Sequence, residues 1–226
     1  MNDPGRSPWW LVVGVYFIAF TSGATVMSFE ILGSRVLAPN FGSSVYVWGS
    51  LITVVMAGLS LGYYVGGRIA DRVVSLSVLA LLLFVPSVFI AAFPLYGERV
   101  CDWLFALNLE PRLGSLFGAL CLFLVPAIFL GTVSPYSVQI LVKEARHAGR
   151  NAGTLYAVST FGSIVGTLGT SFFLILFMGT RRCMLLLGVV LLALSVCAFA
   201  LGVAERHGSR STGRQGARRF TRTDTD

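Results

Sequence analysis

Apolar residues along this chain gather in blocks of about twenty, long enough to cross a hydrocarbon core, instead of alternating with polar ones. Six blocks are legible, near Trp9–Leu32, Tyr46–Gly66, Val73–Leu95, Leu113–Val133, Leu155–Met178 and Cys183–Val203. Backbone in lipid must satisfy its own hydrogen bonds, and the alternating dyads of barrel strands are absent, so each block predicts a transmembrane helix. Polar connections separate them: "GSRVLAPNFGSSV", "GRIADR", "YGERVCDWLFALNLEPRLG", "SPYSVQILVKEARHAGRNAG" and "GTRR". Pro86, Pro126 and Pro135 are expected to kink or end their helices. The pattern divides the chain into a short cytoplasmic N-terminus (1–8), a six-helix membrane domain (9–203) and a basic, disordered cytoplasmic tail (204–226).

Composition agrees with this all-α integral membrane class. Only 12% of residues are charged, about half the share of a soluble domain. The first block is too long for a signal-peptide core and runs on past "TSGA", so it reads as a retained helix with Trp9 and Trp10 at the interface. The net charge of +7 owes most to the arginines after Val203. They decide the orientation: both termini are expected on the cytoplasmic side of the cell (inner) membrane, and without the tail the two sides carry nearly equal basic charge. Of the four cysteines, none forms a C-x-x-C pair, which argues against a disulfide framework or metal site. Cys101, in the long third connection, is expected to be open to a water-soluble thiol reagent.

Six helices divide into two three-helix units, and an odd-numbered unit repeated in tandem must be inverted in the membrane, as inside transporter halves. Sequence echo between the units is faint, limited to "VYVWGS" and "LYAVST". Gly58, Gly62 and Gly66 stack on one helix face, and Gly162, Gly166, Ser159, Ser163 and Thr170 repeat the device in the fifth block. Such faces let backbones approach closely, most often for packing and less often for sliding. "GSIVGTLG" lies mid-span, without the strand that a nucleotide-binding loop needs, so no cofactor is implied.

Two polar constellations stand out. Arg68, Asp71 and Arg72 fill a short connection, where Asp71 can cap the third helix and the arginines can reach head groups. The stretch "FEILGSRVLAPNFGSSVYVWGS" sets Glu30, Arg35, Asn40, Tyr46 and Trp48 between two apolar blocks. Charges at that depth must pair, reach the interface or line a wet cavity. Two readings follow: a Glu30–Arg35 pair pinning a loop, or a polar, aromatic-rimmed vestibule for an organic cation.

The G-x-x-x-D-R pattern at Gly67–Arg72 resembles the signature loop of major facilitator transporters, which governs their conformational switch. Over a longer reach, "SFEILGSRVLAPNFGSSVYVWGSLITVVMAGLSLGYYVGGRIADR" and "FLGTVSPYSVQILVKEARHAGRNAGTLYAVSTFGSIVGTLGTSFFLI" closely resemble the membrane half of the fused major-facilitator/spermidine-synthase family. The resemblance covers Thr21 to about Arg182 and implies a half-major-facilitator-like bundle. Relatives of that kind often continue into an aminopropyltransferase-like domain using decarboxylated S-adenosylmethionine. This sequence lacks that domain's acidic and glycine motifs, so no enzyme is expected.

Two functions are then in view. One is a half-transporter-like protein handling a small polar solute such as a polyamine, with two copies pairing through the glycine faces. The other is a non-transporting anchor for a separately encoded, soluble spermidine-synthase-like partner. The tail offers contacts for anionic lipid or that partner, and no nucleic-acid partner is expected.

Overall fold

The computed structural model describes the backbone of residues 9–143 and 148–223, and side chains over 9–142 and 149–204. The chain is all-helical. Helix α1 spans Trp9–Phe41, α2 Val45–Arg72, α3 Leu76–Ala106, α4 Pro111–Lys143 and α5 Ala148–Gly169. A π-helical turn, Thr170–Leu174, leads into α6, Ile175–Thr223, which breaks at Gly179 (φ 72°, ψ 161°). Five segments are long and apolar enough to cross a membrane, the last being Gly149–Ala204. This is a multi-pass membrane bundle in contact with lipid. The expected disordered tail falls mostly outside the residues with described side chains, and α6 continues as helix to Thr223.

Helix ends depart from the hydropathy boundaries, because apolar content marks what lipid covers and not where hydrogen bonding stops. Expected to end near Gly33, α1 runs on to Phe41 through Pro39. Gly33 does not stop it: a side chain there would strike the Phe123 ring, so its small size serves packing. The stop is Gly42, whose positive φ of 81° lets its N–H reach the Ala38 carbonyl at 2.9 Å. Likewise α3 and α4 continue through Pro86, Pro94, Pro126 and Pro135. Arg68, Asp71 and Arg72 form the last turn of α2 and are not a loop. Ser75, not Asp71, caps α3, its side chain accepting from the Ser77 N–H.

The tightest helix pairs are α2 with α4, α3 with α6, and α1 with α5. All three join elements distant in sequence. Gly58, Gly62 and Gly66 press on Ala127, the Ile128 carbonyl and Thr132 in ascending order, so α2 and α4 run parallel. Gly162 and Gly166 press on the Phe20 and Ala24 carbonyls, so α1 and α5 also run parallel. By contrast, Gly188 meets Ala91 and Gly202 meets Leu76, which makes α3 and α6 antiparallel. Both glycine faces are thus consumed inside one molecule. They cannot be the surface through which two copies pair.

The core lies where α1, α3 and α4 cross. Phe29 packs on Phe123 with ring centroids 4.8 Å apart, and Phe93 closes the cluster at 5.7 Å from Phe123. Hydroxyls tie α1 to α5: Ser28 donates to the Gly166 carbonyl, Ser163 to the Gly23 carbonyl, and Thr170 to the Ser28 hydroxyl at 2.7 Å.

Candidate functional site

Glu30 is buried, 9% exposed, and its Oε2 has no hydrogen-bond partner among the described residues. A carboxylate so placed in a membrane helix is costly and typical of sites that handle ions or polar solutes. Arg35 does not relieve it. Helix α1 continues past both residues, which sets them about 140° apart around its axis; Arg35 is exposed, and no ion pair joins the two. The loop-pinning pair is therefore not formed.

One turn from Glu30, Val26 and Met27 line a cavity of about 430 Å³ whose walls come from α1, α2, α4 and α5. Its walls carry hydroxyls from Ser22, Ser60, Tyr63, Ser134, Ser159 and Ser163 among apolar side chains such as Met56 and Leu130. Glu30 is not part of the cavity wall; it follows Val26 by one turn on the same face of α1. Met56, Ser60 and Tyr63 are exposed, which opens the cavity along α2. The π-turn begins at Thr170, buried against Ser28 beside this region, and such turns frequently mark functional positions. Hydroxyls in an apolar shell, with a carboxylate one helical turn from its wall, can accept hydrogen bonds from a cationic solute.

The other expected vestibule residues do not gather around Glu30. Arg35 lines a separate cleft with Glu98 and Arg181. The Asn40 amide donates to Asp102 at 3.0 Å, bridging α1 and α3. Tyr46 lies under Arg112, whose guanidinium carbon is 4.8 Å from the ring centroid, and Trp48 is exposed on α2. In the constellation at the other end, Arg68 covers the Tyr64 ring at 4.3 Å, and Asp71 accepts from Gln139 at 3.4 Å. Arg72 is exposed there.

Sequence reasoning passed over Tyr136, which is fully buried. Its hydroxyl accepts from the Ser75 N–H at 3.0 Å and donates to the Val73 carbonyl at 2.8 Å, so α4 holds the α2–α3 turn by its backbone. The hydropathy pattern puts this tyrosine, in "SPYSVQ", in a polar connection, whereas it lies within α4. Sequence reasoning also passed over Ser22 and Ser60, whose only signal was a hydroxyl placed mid-span in an apolar helix, and Ser134, which opens the fourth polar connection. Comparison of the chain with family models, curated proteins and solved structures returns no match.

Proposed function

We propose that the chain is a half-transporter-like membrane protein that handles a small polar cation of the polyamine class, with Glu30 as the anionic anchor. The observation that carries this reading is the buried Glu30 carboxylate, its Oε2 without a hydrogen-bond partner among the described residues, one helical turn from Val26 in the wall of the hydroxyl-lined cavity. The cavity's open side along α2 suits half of a pathway, completed by a second copy facing it. The polyamine class rests on the sequence resemblance and on the match between a carboxylate, hydroxyl acceptors and a chain of ammonium groups.

The six-crossing, two-unit architecture belongs to the same proposal. Gly149–Ala204 has 56 residues; at about 1.5 Å per residue it would extend roughly 84 Å as one straight helix, far beyond a hydrocarbon core. Its break at Gly179 and the antiparallel course of α6 along α3 support two crossings. Exchanging α1 with α4, α2 with α5 and α3 with α6 maps each tight pair onto another tight pair or onto itself. Two inverted three-helix units would have this relation. Cytoplasmic termini complete the reading, on the charge distribution alone.

The test uses the full chain, purified in mild detergent. Spermidine or putrescine at millimolar concentration is expected to raise its melting temperature, and Glu30→Gln to remove that response. A folded wild-type sample indifferent to every polyamine would overturn the solute class. A monodisperse Glu30→Gln protein with an intact response would remove Glu30 from the site.

A further inference from the structure

At the end of the bundle remote from Trp9, helices α1, α3 and α6 leave a cleft of about 230 Å³. Arg35, Glu98 and Arg181 form its polar wall, and Val36, Phe93 and Met184 its apolar one. The three charged side chains are exposed, and among the described residues none is ion-paired with another. Guanidinium groups are planar donors suited to phosphate oxygens, which they hold bidentately. The break at Gly179 adds to this, because the helical turn beyond it starts afresh at Thr180, also in the cleft wall. A helix start carries positive potential.

Glu98 narrows the ligand. A carboxylate beside the two arginines would oppose a simple anion, yet it fits a ligand that also bears an ammonium group. The apolar wall adds a surface for methylenes at the membrane interface. We infer that this cleft binds a phosphate head group of the phosphoethanolamine class, with the phosphate on Arg35 and Arg181 and the ammonium on Glu98. Two sources share that chemistry, a membrane phospholipid and a soluble phosphoethanolamine ester. The site is separate from the solute cavity, because Arg35 and Glu30 project from different sides of α1.

Native mass spectrometry of the full chain in maltoside micelles tests the inference, with phosphatidylethanolamine, phosphatidylglycerol and phosphatidylcholine offered in equal amounts. Wild type is expected to retain phosphatidylethanolamine preferentially, and R35Q/R181Q to lower that retention about tenfold, as loss of charge-assisted bonds predicts. E98Q should erase the preference for phosphatidylethanolamine over phosphatidylglycerol while keeping lipid bound. Displacement by soluble phosphoethanolamine would support the cleft as a head-group site open to the free ester. Retention despite that competitor would support the phospholipid as ligand. A monodisperse R35Q/R181Q protein that keeps phosphatidylethanolamine at the wild-type level overturns the inference, as does a wild type with no head-group preference. If the double variant does not fold, E98Q decides: an unchanged lipid preference there also overturns it.

Discussion

Tyr136 and Glu30 are both buried polar side chains, with opposite accounts of their hydrogen bonds. The Tyr136 hydroxyl is committed to the turn between α2 and α3. Tyr136→Phe keeps the ring but strands the Ser75 N–H, and it takes the donor from the Val73 carbonyl. Val73 is exposed and Ser75 half-buried, so the loss is that of partly solvated hydrogen bonds, about 0.5–1.5 kcal/mol each, and the melting temperature should fall measurably in detergent. An unchanged value would mean the turn is not held from α4. Glu30 has no such commitment, and removing its charge relieves an uncompensated burial. Glu30→Gln should therefore leave the ligand-free protein as stable as wild type or more so; a clear loss of stability would assign the carboxylate a structural partner. Sequence alone could flag Glu30, because a carboxylate inside an apolar block is conspicuous. It could not separate Glu30 from Arg35, since that needed the knowledge that the helix runs on past Gly33.

Adjacent glycines at the end of α2 show how finely packing discriminates along an element. A Cβ on Gly66 would meet the Thr132 backbone, whereas one on Gly67 would meet nothing within 4 Å. Gly66→Ala is expected to destabilise by about 1–3 kcal/mol, as overpacking against backbone does. Gly67→Ala should be neutral or stabilise by about 0.5–1 kcal/mol, from reduced backbone freedom in the unfolded chain. Equal effects in thermal unfolding would contradict the α2–α4 contact. The four-residue spacing of Gly58, Gly62 and Gly66 was legible as a close-packing face, and so was the face through Gly162 and Gly166. The partners were not: nothing in the spacing tells α4 from a second molecule. Helix existence was readable from hydropathy, while helix ends were set by Gly42 and Ser75, whose roles depend on backbone geometry.

For the molecule as a whole, the proposed orientation can be tested with an introduced thiol. Cys101, expected to be accessible, is buried in α3, so it is a poor reporter. Asn108 is exposed in the short connection between α3 and α4 and has a positive φ of 51°. In whole cells, Asn108→Cys should react with a membrane-impermeant maleimide while Cys101 stays silent. Labelling of Asn108→Cys only after permeabilisation would reverse the orientation.

The pairing of sequence-distant helices bears on how the protein is made. Helices leave a ribosome in order, yet α2 packs tightly on α4 and α1 on α5, while neighbours in the chain touch less extensively. The first two spans therefore spend part of synthesis without their closest partners, their glycine grooves open to lipid or to quality-control proteases. Nascent chains halted after α3 should be degraded quickly, chains extended through α4 should gain protection over the α2–α3 turn, and protection of α1 should wait for α5. Pulse-chase proteolysis of such truncations would show it, and equal lifetimes across the series would mean that neighbouring hairpins suffice to hold the early bundle.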